Sequence, residues 1–378
     1  MSIEYVEIRN PQREIIGICD AFNSIIWRPE YYGTGDFEIY APCSPLNLSL
    51  LAEDNIVTRP DDENVGIIER VEYSFDITNG RMITASGRFA KSILDRRIIY
   101  RKTGTNQISA TMLNGNVETT ARSIITMNAI DCEFDTGRNI DALILGAHSG
   151  SEQIIVDADG NPTTQQVVFD NLLTWTDEFL QKYKIGAKIT LNAEKQFVYT
   201  CYEGVNRAVD NTDGNEPVIF SQDFENLISS NFLIEKSAYK NAAVVAGEGE
   251  GIARFCSFYV SAGLSGIDRR ELFVDENKAA RKYVDSGGTE RTLTVEQYNA
   301  NLRAIGAQKL AALPIAESFD GEINLNSLTF QYKRNYNIGD IITVQDSDTK
   351  IYSNTRIIEI CEVQDEKGYQ ITGKYETD

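Results

Sequence analysis

Histidine is almost missing: His148 is the only one in 378 residues. A His-based zinc cage is therefore impossible within one chain, and any Ser-His-Asp triad would have to use His148. That residue stands in Gly146-Ala-His-Ser-Gly-Ser151, which is not the strained G-x-S-x-G elbow, and it reads as a loop histidine after the apolar run 142–147. The six cysteines (Cys19, Cys43, Cys132, Cys201, Cys256 and Cys361) are never closer than 24 residues, so no C-x-x-C pair exists. Zinc ribbons and dithiol redox motifs are excluded, and reduced, buried thiols are expected. No apolar run approaches the length of a membrane span. The opening Met-Ser-Ile-Glu-Tyr-Val-Glu-Ile-Arg-Asn has neither a basic n-region nor an apolar h-region, so synthesis and folding in a cytoplasm are expected. Positive charge is scarce: 36 Lys+Arg against 56 Asp+Glu give −20, which argues against a protein that grips a nucleic-acid duplex.

The motifs that tempt a chemical reading weaken in turn. Gly247-Glu-Gly-Glu-Gly251 has the wrong spacing for a phosphate loop, and its two carboxylates would repel phosphate. Asp157-Ala-Asp-Gly-Asn161 places its glycine fourth rather than sixth for a calcium loop, and Asp-Gly before Pro162 suits a hairpin turn better. A glycosidase needs only two suitably spaced carboxylates, and among 56 acids nothing singles out such a pair. No catalytic residue, cofactor or metal is expected.

What is present is a chain long enough for two or three folding units, able to bury about 75% of its unfolded surface. Short alternating strands joined by turn clusters fill the first hundred residues, and residues 87–97 turn helical with Phe89, Ile93 and Leu94 on one face. Helices are predicted over 116–129 and 163–183, the latter with Thr163-x-x-Gln166 as a capping box, followed by a hairpin at 187–191 and 196–202. The polar loop 210–217 marks a boundary. Strands return from 218, interrupted by a helix capped by Thr294-x-x-Gln297 and stopped by Pro314, and resume from 322 to 375.

An internal echo stands out. Ile67-Ile-Glu-Arg-Val-Glu72 is matched near the C-terminus by Ile357-Ile-Glu-Ile-Cys-Glu362. An acidic turn precedes each (Asp61-Asp-Glu63; Asp346-Ser-Asp348), and Ile-Thr with a glycine follows each (Ile83-Thr84, Gly87; Ile371-Thr372, Gly373). Two copies of one barrel are expected, with Glu69 matching Glu359, Glu72 matching Glu362, and both Ile68 and Ile358 buried.

Several segments, in order, resemble the phage tail hub proteins, also called baseplate hub or tail-associated proteins, of the compact siphophage kind. They are Gly35-Asp-Phe-Glu-Ile-Tyr40, Gly66-Ile-Ile-Glu-Arg70, residues 87–99, Tyr239-Lys-Asn-Ala-Ala-Val-Val-Ala-Gly247, Gly266-Ile-Asp-Arg-Arg-Glu271, Asn337-Ile-Gly-Asp-Ile341 and Thr355-Arg-Ile-Ile-Glu359. The resemblance implies an α+β, mainly β chain: two tail-tube-like β-barrel domains with two inserted α/β subdomains. Residues 1–95 would form the first barrel with its terminal helix and 96–215 an inserted α/β domain. Residues 216–260 with 320–378 would form the second barrel, and 261–319 a small helix-containing insertion. It implies a homotrimer at the virion tail tip that closes the distal end of the tail tube and lines part of the DNA-ejection channel. Its neighbours would be the distal tail protein ring, the tape-measure protein and tip or fibre proteins. DNA would pass without specific binding, along a neutral to acidic wall. Some relatives carry a C-terminal peptidoglycan hydrolase; with the last residue at Asp378, that activity is expected in another protein. The pairs beside Asp95-Arg96-Arg97 and Asp268-Arg269-Arg270 are candidates for inter-domain or inter-subunit contacts. A receptor- or carbohydrate-binding virion protein and a cell-wall hydrolase are the alternatives.

Overall fold

A computed structural model describes residues 2–78, 80–104, 107–157, 160–260, 264–277, 279–284, 290–311, 313, 315–323, 329–346 and 352–377. Two compact units result: 1–155 with 164–231 and 319–378, and 156–163 with 232–318.

The first third of the larger unit carries β1 (Val6–Arg9), β2 (Ile15–Cys19), β3 (Ser24–Arg28), β4 (Asp36–Pro42), α1 (Pro45–Leu50), β5 (Ile56–Arg59), β6 (Asp62–Ile67), β7 (Arg70–Asp76) and β8 (Gly80–Arg88). Period-2 alternation decides which face is dry. In β4, Phe37, Ile39 and Ala41 are buried, and on β3 they meet Ile25 and Trp27, around which Phe89 packs edge-on at 4.7 Å. Gly35 makes the entry to β4 at φ +66°, where a Cβ would stand 2.4 Å from the Arg28 carbonyl. The helix expected over 87–97 is a shorter 3-10 helix, Ala90–Arg96, with Ile93 and Leu94 buried, because Gly87 and Arg88 still belong to β8 and pair with β4.

The middle holds β9 (Arg101–Gly104), β10 (Gln107–Ser109), β11 (Thr111–Leu113), α2 (Val117–Ile125), β12 (Leu143–Leu145), β13 (Gln165–Val167), α3 (Leu172–Gln181), β14 (Gly186–Leu191) and β15 (Phe197–Tyr202). The expected capping box Thr163-x-x-Gln166 does not cap. Gln165–Val167 pairs instead with β11, and α3 begins only after Asn171, whose side chain accepts from the Thr174 amide at 3.1 Å. Local β pairing outcompeted the helical pattern there. The hairpin β14–β15 forms as read, with β12 added in parallel.

The chain continues through β16 (Ile219–Ser221) and β17 (Leu227–Glu235), and after the smaller unit through β23 (Ala316–Ile323), β24 (Ile341–Gln345), β25 (Tyr352–Asp365) and β26 (Gly368–Thr377). Strands β2-β1-β5-β6 form one sheet, and a ten-stranded sheet runs β17-β23-β26-β25-β3-β4-β8-β7, with β24 beside β25 and β16 beside β24. Mainly β structure is thus correct, but no barrel closes among the described residues. The reason lies in β25, which is fourteen residues long and irregular between Ile357 and Glu359. Its first part pairs with β24; its second part pairs with β3, so the C-terminal strands extend the N-terminal sheet instead of returning to their own edge.

Within that sheet the order repeats. Four strands, β17-β23-β26-β25, are followed by four with the same neighbour relations, β3-β4-β8-β7. The turn before each pair matches bond for bond. Asp54 (φ 65°) donates to Ile68 O and Ile68 N to Asn55 O, as Gly339 (φ 92°) donates to Ile357 O and Ile357 N to Asp340 O. Both hairpins then run Asp76↔Gly80, Tyr73↔Ile83 and Asp365↔Gly368, Glu362↔Ile371. The echoed segments therefore occupy like strands, but one residue out of step with the sequence match. Ile357 corresponds to Ile68, both fully buried, while Ile358 is only half-buried; Glu362 corresponds to Tyr73, not to Glu72. Asn79 and the part of the acidic turn at Ser347 and Asp348 lie outside the described residues, as do Asn324, Leu325 and Pro314.

The smaller unit contains β18 (Ala242–Ala246), β19 (Cys256–Val260), β20 (Glu271–Asp275), β21 (Lys282–Val284), β22 (Glu290–Thr292) and α4 (Val295–Ala311). Its three-stranded sheet β19-β18-β20 is covered on one face by Tyr298, Leu302 and Leu310 of α4. The capping box at its start is reciprocal: Thr294 N donates to Gln297 Oε1 at 3.0 Å and Gln297 N to Thr294 Oγ1 at 3.2 Å. Thr294→Ala should lower stability by about 1 kcal/mol in urea unfolding. In the 156–163 segment the Asp157 amide donates to Asn161 O and the Asn161 amide to Asp157 Oδ1, a turn as expected; Ala158 and Asp159 lie outside the described residues.

Candidate functional site: a buried charge cluster and a free strand edge

His148 does not serve a nucleophile. Glu118, fully buried on α2, accepts from the Ser149 amide at 3.0 Å and also takes the Ser149 hydroxyl, while His148 Nδ1 accepts from the Gly150 amide. The serine proton is thus turned toward a carboxylate, not toward the imidazole, and a triad is not assembled. Arg122 completes the arrangement by donating to Gly146 O and Ala147 O, so these groups pin the loop 146–151 to α2. Burial pushes the Cys19 and Cys201 thiols up to about 11, which removes them as nucleophiles at neutral pH. Among the described residues no group of His, Cys, Asp and Glu is arranged to hold a metal ion.

The densest chemistry lies where the two four-strand repeats join. Glu362 sits opposite Trp27 in the β25–β3 pairing, and its side chain is 2% exposed. Arg59, from β5, reaches it through both terminal nitrogens at 3.3 and 3.2 Å, stacks over Trp27 at 5.3 Å, and forks onto Asp61 at 3.0 and 2.6 Å. Lys333 adds contacts to Glu362 at 3.2 Å and Asp62 at 2.6 Å, and Tyr369 donates to Glu362 at 2.5 Å. Burial raises the Asp61 carboxyl, but the Arg59 hydrogen bonds and charge outweigh it and hold the group below its ordinary range. The stabilisation it lends is therefore present above about pH 4 and is lost as pH falls through the depressed value. Asp61→Asn should flatten the loss of melting temperature below that pH.

The junction continues past the strands: Ile360 N donates to Pro29 O, Tyr31 N to Ile358 O, and Glu30 bridges to Glu359. Burial, then the Glu359 charge, raises the Glu30 carboxyl, while Glu359 is held by Lys374 at 2.7 Å. Tyr31 projects onward into the middle region. Its hydroxyl receives the Gly204 amide at 3.3 Å and lies 3.0 Å from Lys184 O, and its ring leaves no room for a side chain at Gly186 or Gly339. Beside this knot lies a cleft of about 620 Å³ lined by Asp61, Asp62, Glu63, Lys188, Tyr202 and Lys333. Its three lysines are already paired, Lys91 with Asp177, Lys188 with Glu63 and Lys333 with Asp62, so it is not a ready anion site.

The opposite end of the sheet is open. Among the described residues β7 pairs only with β8, and Tyr73 and Phe75 are 62% and 69% exposed. The candidate pairs read from the sequence fall elsewhere. Asp95 binds Arg88 at 3.0 Å and Asn171; Arg97 donates to the Arg138 carbonyl; Arg96 is exposed. Arg269 meets Glu271 at 2.8 Å, Arg270 donates to Lys236 O, and the Asp268 side chain is exposed while its carbonyl takes Asn241 Nδ2. Neither aspartate pairs with its neighbouring arginines. The Arg59–Glu362 pair was missed, because residues 303 apart give no local signal.

The profile of the Siphovirus ReqiPepy6 Gp37-like protein family matches residues 5–373. The chain belongs to that family. A comparison with curated proteins returns no match. Among solved structures, this family member superposes on the 43 kDa tail protein of prophage MuSo2 from Shewanella oneidensis (TM-score 0.57, 11% identity, 99% of this chain and 98% of that one). It also superposes on a tail protein from Neisseria meningitidis MC58 (0.55, 11%, 99% and 96%) and on prophage tail protein gp18 from Listeria monocytogenes EGD-e (0.51, 12%, 99% and 95%). At such identities the likeness is one of fold, and the fold is that of prophage tail proteins over nearly the whole chain.

Proposed function

We propose that this chain is the structural hub of a phage tail tip: a homotrimer that closes the distal end of the tail tube and forms part of the ejection channel. The observation that carries this reading is the repeated strand order. Eight strands in two like sets, ending in β7 at one edge and β17 at the other, make each chain two similar units of one sheet. Three chains joined head to tail would continue that order around a ring of twenty-four strands (3 × 8), six similar units meeting a six-fold tube on a three-fold component. The two units stand in for the barrels expected from the sequence, with residues 96–215 and 261–319 as their insertions. The distal tail ring, the tape-measure protein and tip or fibre proteins are the proposed neighbours. Arg96 and Asp268, both exposed, are the members of the two charged clusters proposed to pair between subunits.

The solvent-facing side of the sheet supports a channel wall that lets DNA slide. Its cations are matched with acids: Arg28 with Asp36, Arg88 with Glu69 and Asp95, Arg70 with Glu72, and Lys374 with Glu359. Among the described residues these four cations each have an acid partner, so phosphates meeting that wall gain little from displacing counterions. The role is non-enzymatic. Antibodies against the chain should decorate one end of intact virion tails, and purified protein should clear no cell-wall zymogram above a buffer control. Label along the capsid, or clearing that survives purification, would contradict the reading.

A further inference from the structure

We propose that β2 is a docking edge for an extended segment of a different tail protein: about five residues, apolar at alternate positions, with a lysine or arginine at the end that lies beside Asp20. The inference rests on the proposed place of the chain in a virion tail, and not on its copy number or on how its copies join. Among the described residues β2 pairs only with β1, so one side of its backbone is unpaired. Along it Ile15, Ile16 and Ile18 are 55%, 44% and 48% exposed. Gly17 and Cys19 turn to the core, where α1 packs on them: Leu50 leaves no room for a Cβ at Gly17, and Asn47 Oδ1 takes the Cys19 thiol at 3.8 Å. Ile16 and Ile18 therefore share the outer face. The same helix adds Leu46 and Leu48, both exposed. Strand edges that stay in water are blunted by charge, by proline or by a cover. The other edge of this sheet is treated so: β6 opens on Asp62, Glu63 and Asn64, and Gly66 bridges to Phe89. Ile15–Cys19 has no charged residue and no proline, and its pairing is irregular only at its start, where Arg9 meets Ile15.

Charge at the far end of the strand selects the occupant. Past Cys19 lies a pocket of about 500 Å³ lined by Glu4, Asp20, Asp365 and Glu366, with Phe22. Among the described residues none of these four carboxylates is paired with a lysine or arginine. A second copy does not suit the edge. Laid antiparallel on β2 about Gly17, as two-fold symmetry requires, it would set Asp20 opposite Glu14, acid against acid. A foreign strand that ends in a cation meets the pocket with opposite charge. Its main chain takes up the free side of β2, and its apolar side chains cover Ile16 and Ile18.

The test places a photoreactive benzophenone side chain at Ile18 of the full chain, assembles it into virion tails and sequences the cross-linked peptide. One segment of another tail protein should be captured, with Lys or Arg within about three residues of the cross-link. In the same tails the alternate amides of residues 15–19 that point away from β1 should exchange about 100-fold more slowly than in the isolated chain. Ile16→Lys/Ile18→Lys should lower incorporation into tails about tenfold or more. Circular dichroism and melting temperature of that isolated variant should match wild type, because both side chains are exposed. Capture of a second copy, of a segment without a cation, or of nothing would overturn the inference, as would full incorporation of the double lysine variant. Each of these results leaves the chain in the tail and the hub reading standing. A chain absent from purified tails would overturn both.

Discussion

Glu362→Ala is expected to lower the unfolding free energy by about 3 kcal/mol, because it removes the buried one of the two carboxylates that hold the Arg59 guanidinium. Arg59 has a side chain 1% exposed, and once Glu362 is gone it keeps only Asp61 while Lys333 remains nearby. Lys333 would keep Asp62, but the Arg59 nitrogen that donates to Glu362 Oε1 would be left buried without that acceptor. Replacing both partners, as in Arg59→Met/Glu362→Leu, should recover most of the loss, since well-packed apolar groups of like volume carry no desolvation penalty. Urea unfolding of wild type, the single variants and the double variant gives the coupling directly. A single variant within about 1 kcal/mol of wild type would show that the cluster does not hold the two strand sets together.

Gly204→Ala should be at least as damaging, and for a reason that has nothing to do with charge. A Cβ at that position would stand 1.8 Å from the Gly339 carbonyl oxygen, and the obstacle is backbone rather than the end of a flexible side chain. Relief requires the segment after β15 to move off the turn at Gly339–Asp340, where Asp340 also receives the Val205 amide at 2.8 Å and Arg207 at 3.0 Å. The knot around Tyr31 would open with it. A loss of about 3 kcal/mol or more is expected, at the upper end of overpacking costs, read as a fall in melting temperature or as insoluble expression. Gly80→Ala is the matched control for backbone effects alone: its φ of +77° is strained for alanine, but nothing lies within 4 Å of the added carbon. A Gly204→Ala protein as stable as the Gly80→Ala protein would show that the clash is absorbed.

Alternation made the strands legible: Phe37, Ile39 and Ala41 announce which face of β4 is dry before any coordinates are known. The duplication was legible too, but only as far as composition allows. The match Ile67–Glu72 to Ile357–Glu362 identified the right strands and slipped by one residue, because β-branched runs score nearly as well in either register while the hydrogen bonds at Asp54 and Gly339 permit only one. Barrel closure could not be read, since whether β25 returns to its own sheet or crosses to β3 depends on contacts between residues more than 300 apart. The helix start at 163 failed for a related reason: Gln165–Val167 had a strand partner waiting in β11. His148 lies in the loop expected of it, beside a Ser149 held by Glu118, but the expectation of six buried thiols holds only in part: Cys19, Cys132 and Cys201 are buried, Cys43 and Cys361 are half-buried and Cys256, on the sheet of the smaller unit, is exposed.

The central claim is that three of these chains, each contributing two like sets of four strands, close one ring at the end of the tail. A reconstruction of the tail tip from purified virions tests it most directly. The account predicts three copies with β7 of each beside β17 of the next and the Arg28, Arg88 and Lys374 side of the sheet toward the channel. Six copies or one, or a ring closed through any other pair of edges, would contradict it.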